Sequence, residues 1–101
     1  MRIDIRSAGF STTEALREHV WRRLRIALSH RADGVQRVIV RMSDENGPAG
    51  GIDKRCRIEV ALLGLPLQVV EAVAGDLYSA IDSAAKRLGR AVDRSFDRVL
   101  N

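Results

Sequence analysis

The sequence predicts an α+β fold in the order β-α-β-β-β-α: one four-stranded sheet with two helices packed on a single face. Three observations predict it. Two segments, one near each end, repeat apolar residues every three or four positions, as amphipathic helices do. Four other segments alternate or are rich in β-branched residues, as half-buried strands are. Turn residues separate the strands too closely for crossover helices, so the middle of the chain is a run of hairpins.

The elements follow in order. Arg2 to Arg6 alternates, with Ile3 and Ile5 on one side and Asp4 and Arg6 on the other. Ser11-Thr12-Thr13-Glu14 reads as a capping box in which Ser11 accepts from the first turn and Glu14 reaches back. A helix is expected from about Thr12 to Ser29, with Leu16, Val20, Leu24, Ala27 and Leu28 as its apolar stripe and Trp21 at the edge. Asp33-Gly34 turns the chain back. Val35 to Ser43 is a strand with Arg37 and Arg41 opposite Val38, Val40 and Met42. Asp44 to Asp53 is rich in glycine and reads as a flexible hairpin connection, longer than the usual span of about two to five residues. Arg55 to Leu63 alternates again: Cys56, Ile58, Val60 and Leu62 face one way, Arg57 and Glu59 the other. Gly64-Leu65-Pro66 makes a turn, Leu67 to Val73 forms the last strand, and Asp76 caps the final helix.

With 101 residues and an apolar fraction of 46%, the chain suits one compact domain over 1–101 with a packed core. Lys and Arg total 17 against 13 acids, a formal charge of +4. All but Lys54 and Lys86 of these cations are Arg, whose planar fork of donors suits phosphate. Cys56 stands alone, so no internal disulfide forms and no Cys/His set suggests zinc. There is no continuous apolar run of signal or membrane-spanning length, and a cytoplasmic location is the default expectation.

The final helix carries the most information. At about 100° per residue, Leu77, Ile81, Ala84, Leu88, Val92 and Val99 cluster on the side expected to seal the sheet. Arg87, Arg90, Arg94 and Arg98 fall together on one flank, while Asp82, Asp93 and Asp97 lie on the other side with Lys86. A solvated face needs charge but not charge sorted by sign. Like charges three and four residues apart repel by a few tenths of a kcal/mol per pair, and a polyanion relieves that. Arg22, Arg23 and Arg25 of the first helix add a second basic group. If the helices lie side by side, the cleft between them is lined by arginines from both and attracts phosphate with little regard to sequence.

Catalysis finds little support. His19 and His30 have no nucleophile at dyad or triad spacing, and the expected state of Cys56 is an unreactive buried thiol. The glycine-rich loop leads into a strand and lacks the Lys-Ser/Thr of a phosphate-binding loop. No cofactor or small-molecule substrate is called for. Trp21 and Tyr78 do not form the interleaved aromatic pattern of single-strand RNA readers; Tyr78 is expected to anchor the helix start against the sheet. Gly89 suits either a tight helix contact or the approach of an RNA backbone.

EALREHV at Glu14 to Val20, followed by a basic run, and DLYSAIDSAAKRLGRAV at Asp76 to Val92 resemble the two helices of the bacterial ribosome hibernation-promoting factors and the related ribosome-associated inhibitor. The resemblance covers nearly the whole chain, and the Asp-Leu-Tyr-x-Ala-Ile-Asp block is its most specific part. It implies the β-α-β-β-β-α fold and binding to small-subunit rRNA across the decoding channel, where tRNA and mRNA would sit, so that idle ribosomes are silenced. By the same resemblance, Arg87, Arg90, Arg94 and Arg98 match the rRNA-touching positions of the second helix. Arg23 matches the basic position ending the third turn of the first helix, with Arg22 and Arg25 as neighbours, and Lys86 is counted with the expected rRNA contacts. Long members of that family carry a further C-terminal domain that joins two ribosomes, a route not expected for a chain ending at Asn101. The GPAGGIDKRC segment departs from the hairpin of the better-known short members. Two other readings stand beside this one: a regulatory module whose basic face meets an acidic protein, and a general binder of structured RNA, since double-stranded-RNA-binding domains arrange strands and helices similarly.

Overall fold

The computed structural model describes residues 1–45 and 52–100. The elements are β1 (Arg2–Ala8), α1 (Glu14–Ala27), β2 (Val35–Asp44), β3 (Lys54–Leu62), β4 (Gln68–Ala74) and α2 (Leu77–Leu100), with one 3-10 turn at Ala32–Gly34. The sheet order is β1-β2-β3-β4. β1 runs parallel to β2 because α1 intervenes, and the other pairs are antiparallel hairpin neighbours. The expected β-α-β-β-β-α fold is the one observed, and among the described residues no helix is long and apolar enough to cross a membrane. The middle of the glycine-rich connection, residues 46–51, lies outside the described residues.

The two faces of the sheet differ as the alternation requires. Val38, Val40, Met42, Cys56, Ile58 and Val60 turn to the helices and are essentially inaccessible to solvent. They meet Leu16, Val20 and Leu24 of α1 and Ile81, Ala84, Leu88 and Val92 of α2 in one continuous core. Burying an aliphatic side chain is worth about 1.5–3 kcal/mol, so this layer fixes where both helices lie. Burial also pushes the Cys56 thiol up to about 12, so it stays protonated and inert near neutral pH. Among the described residues, no helix covers the opposite face of the sheet.

Three local expectations need correction. The first helix starts at Glu14, and its cap is Thr13, whose Oγ1 accepts from the Leu16 amide at 3.2 Å. Gly9, at φ +88, turns the chain off the sheet so close to β2 that a Cβ would stand 2.8 Å from the Asp44 carbonyl oxygen. The residues after it must first cross the core edge, where Phe10 packs, so Ser11 is too early to open the helix. Val99, expected in the sealing stripe, is 65% exposed. At 1.5 Å per residue α2 is about 36 Å long, and its last turn runs past the core. Tyr78 anchors α1 rather than the sheet: its ring meets His19 edge-on, 5.0 Å between centroids.

Candidate nucleic-acid interface

Asp76 sets the start of α2. Its Oδ1 accepts from the Ser79 amide at 2.9 Å and its Oδ2 from the Ser79 hydroxyl at 2.8 Å. These bonds favour the ionised form and hold its carboxyl below the usual aspartate value of 3.8. With the apolar side of the helix pressed on β3 and β4, two charged flanks remain. One faces α1, the other the outer strand β4.

The flank facing α1 is internally paired. Asp82 Oδ1 lies 2.6 Å from His19 Nε2. The same oxygen lies 3.3 Å from Arg23 Nε, which has no aligned hydrogen bond. Arg31, just beyond α1, reaches Asp93 at 3.4 Å and Asp97 at 3.6 Å, with its guanidinium 4.8 Å from the Phe96 ring centre. Between these clasps the helices come very close. A Cβ on Gly89 would stand 3.1 Å from the Ala27 carbonyl oxygen and 3.5 Å from its Cβ. Gly89 therefore serves helix contact, not an open approach for RNA.

The flank facing β4 is different. Arg90, Arg94 and Arg98 are exposed, and among the described residues no carboxylate lies within ion-pair distance of them or of Arg87. Arg87 donates from Nη1 to the Glu71 carbonyl oxygen at 2.6 Å, capping a backbone acceptor on the edge strand. Arg87, Arg90 and Arg94 line a hollow of about 330 Å³ with Val70 and Glu71.

The eight cations expected at the site thus do not converge on one cleft between the helices. Arg23, Lys86 and Arg90 line a hollow of about 230 Å³ at the helix seam, but Asp93 shares it. Arg22 and Arg25 lie on the outer side of α1 with Arg17 and Trp21, where the Arg25 guanidinium is 6.0 Å from the Trp21 ring centre. Arg87 and Arg94 turn toward β4, Arg98 is exposed in the last turn, and Arg90 is the ridge between the two hollows. The reason is the sorting itself: the acidic flank, not the basic one, meets α1. Sequence reasoning does not assign Arg31, whose acidic partners are distant in the chain, and it does not reveal the open sheet face as a surface. Alternation does place Arg37, Arg41 and Arg57 there; only strand register could bring them together.

The family model described as Sigma 54 modulation protein / S30EA ribosomal protein matches residues 3–99. The chain belongs to that family. Its members are ribosome-associated modulation factors rather than known enzymes. Among solved structures, the chain is similar to the N-terminal domain of Protein Y from Thermus thermophilus, at 32% identity and a TM-score of 0.77, over 93% of this chain and 98% of that one. A ribosomal subunit interface protein from Coxiella burnetii shares the fold at 20% identity and a TM-score of 0.77, over 93% and 96% of the two chains. No curated protein sequence matches the chain significantly.

Proposed function

We propose that this family member silences translation by binding small-subunit rRNA in the channel used by tRNA and mRNA, acting through a single domain and without catalysis or cofactor. One observation carries the reading. The four arginines on the β4 flank of α2 have no carboxylate partner among the described residues, although the same helix carries acids that α1 engages. Phosphates supply the missing counter-charge, and displaced counterions add to the affinity. Arg90, Arg94 and Arg98 are the principal phosphate ligands, with Arg87 shared between RNA and the β4 edge. Lys86 and Arg23 extend the contact at the helix seam, and Arg22 and Arg25 form a separate contact on α1. Selectivity comes from the shape of folded rRNA, since phosphate contacts carry no base information.

The test is co-sedimentation with purified small subunits at moderate salt, using Arg90→Glu combined with Arg94→Glu. The variant is expected to lose at least tenfold in affinity while melting within a few degrees of the parent. Unchanged sedimentation defeats the reading. Equal affinity of the parent for a plain RNA duplex and for the small subunit favours a general RNA binder instead.

A further inference from the structure

The uncovered face of the sheet holds a line of like charge. Register places Arg6 of β1 opposite Arg41 of β2, and Arg41 opposite Arg57 of β3. Directly opposed like charges destabilise a sheet, and neighbouring strands are only about 4.8 Å apart. The carboxylates nearby do not cancel the row. Asp4 is taken by Arg37 at 2.6 Å, and Glu71 by Arg55 at 2.7 Å. Glu59 offers one oxygen to both Arg41, at 2.8 Å, and Arg57, at 3.5 Å. Among the described residues, Arg6 has no carboxylate within ion-pair distance. Two guanidiniums of the row therefore share a single counter-ion and the third has none, on a concave surface where Arg6, Arg41, Arg55 and Arg57 border a hollow of about 300 Å³.

The row also connects with the arginines of α2. Arg57 stands opposite Glu71 on the edge strand, and the carbonyl of Glu71 is the group that Arg87 caps from the helix layer. Arginines thus stand on both sides of the β4 edge, Arg87, Arg90 and Arg94 in the helix layer and Arg57, Arg41 and Arg6 across the open face, with Glu71 between the two groups.

We propose that the open sheet face is a second RNA contact, in which Arg6, Arg41 and Arg57 hold the sugar–phosphate backbone of a strand passing around the β4 edge. This deepens the function proposed above and rests on it. The domain is then held by RNA on both of its layers, which a helix-only contact would not require.

The experiment measures affinity of the full chain for purified small subunits across a salt series. Arg41→Gln with Arg57→Gln is expected to weaken binding at least fivefold and to flatten the plot of log affinity against log salt, by about 0.7 for each phosphate left without its arginine. Arg41→Lys with Arg57→Lys should keep most of the slope. Arg6→Gln alone, which breaks no ion pair, should flatten it by a smaller step and serves if the double variant is misfolded. If the Gln variants match the parent in affinity and slope while Arg90→Glu/Arg94→Glu loses binding, the sheet contact is overturned and the helix reading survives. Weaker binding at unchanged slope also overturns it, because the face then meets a partner other than phosphate. If both sets of variants bind like the parent, the helix reading and the sheet contact fall together.

Discussion

On the flank of α2 that faces α1, Asp82, Asp93 and Asp97 each lie within ion-pair reach of a basic group from another part of the chain. On the flank that faces β4, the arginines find only a backbone carbonyl among the described residues. The two flanks share one helix, one start and one buried stripe, so neither propensity nor packing distinguishes them. The difference lies in where the counter-charge comes from. The first flank is completed within the fold and holds two helices in register; the second is left for an anion from outside. Removing the acids of the first should alter stability and spare binding, and removing the arginines of the second should do the reverse.

The most forceful way to break this contrast is to wedge the seam. A side chain at Gly89 has to enter the space beside Ala27, where the backbone oxygen is the nearest atom and cannot rotate away. Gly89→Val is expected to destabilise by about 1–3 kcal/mol through overpacking. Chemical denaturation should show the loss as a lower midpoint. If the midpoint is unchanged, the seam is loose and the pairing across it is not what holds the acidic flank.

A smaller effect sharpens the comparison. Asp82→Ala leaves His19 and Arg23 without their shared carboxylate. The pair is partly exposed, so a loss of up to about 1 kcal/mol is expected. Affinity for the small subunit should stay at or slightly above the parent value, since an acid has been removed beside Arg23. A marked fall in affinity with little change in melting would place Asp82 in the binding surface and dissolve the division between the flanks.

Much of this architecture is legible in the sequence, for reasons particular to each element. The strands of β2 and β3 declare themselves because residues 38–42 and 56–62 alternate cleanly between core and open face. The arginine stripe of α2 is a property of one helix and needs no knowledge of neighbours. What stays hidden is tertiary. A helical wheel gives the angle between Arg94 and Asp93 but not which of them looks at α1. Register decides that Arg6, Arg41 and Arg57 line up, and register depends on pairing between segments 16 to 35 residues apart. Three hydroxyl residues in succession, Ser11 to Thr13, could each cap a helix, and the path of the chain after Gly9 selects the last.

The contrast between flanks also presupposes that the phase of α2 is fixed at its first turn, and this predicts the smallest effect. Asp76 is ionised in its cap more readily than a free aspartate because Ser79 donates to it twice. A carboxyl whose folded value is lowered adds stability above the unfolded value, near 3.8, and that contribution fades as pH falls through the lower folded value. Asn also caps helices but does not titrate there. The melting difference between the parent and Asp76→Asn should therefore be constant from neutral pH to about 5 and shrink only in more acidic solution. Binding at neutral pH should be equal for the two proteins, because Asn retains the cap and Arg90 and Arg94 lie several turns away. A pH-independent melting difference would mean that the charge on Asp76 does not secure the start of α2, and the phase would have to be set by the buried stripe alone.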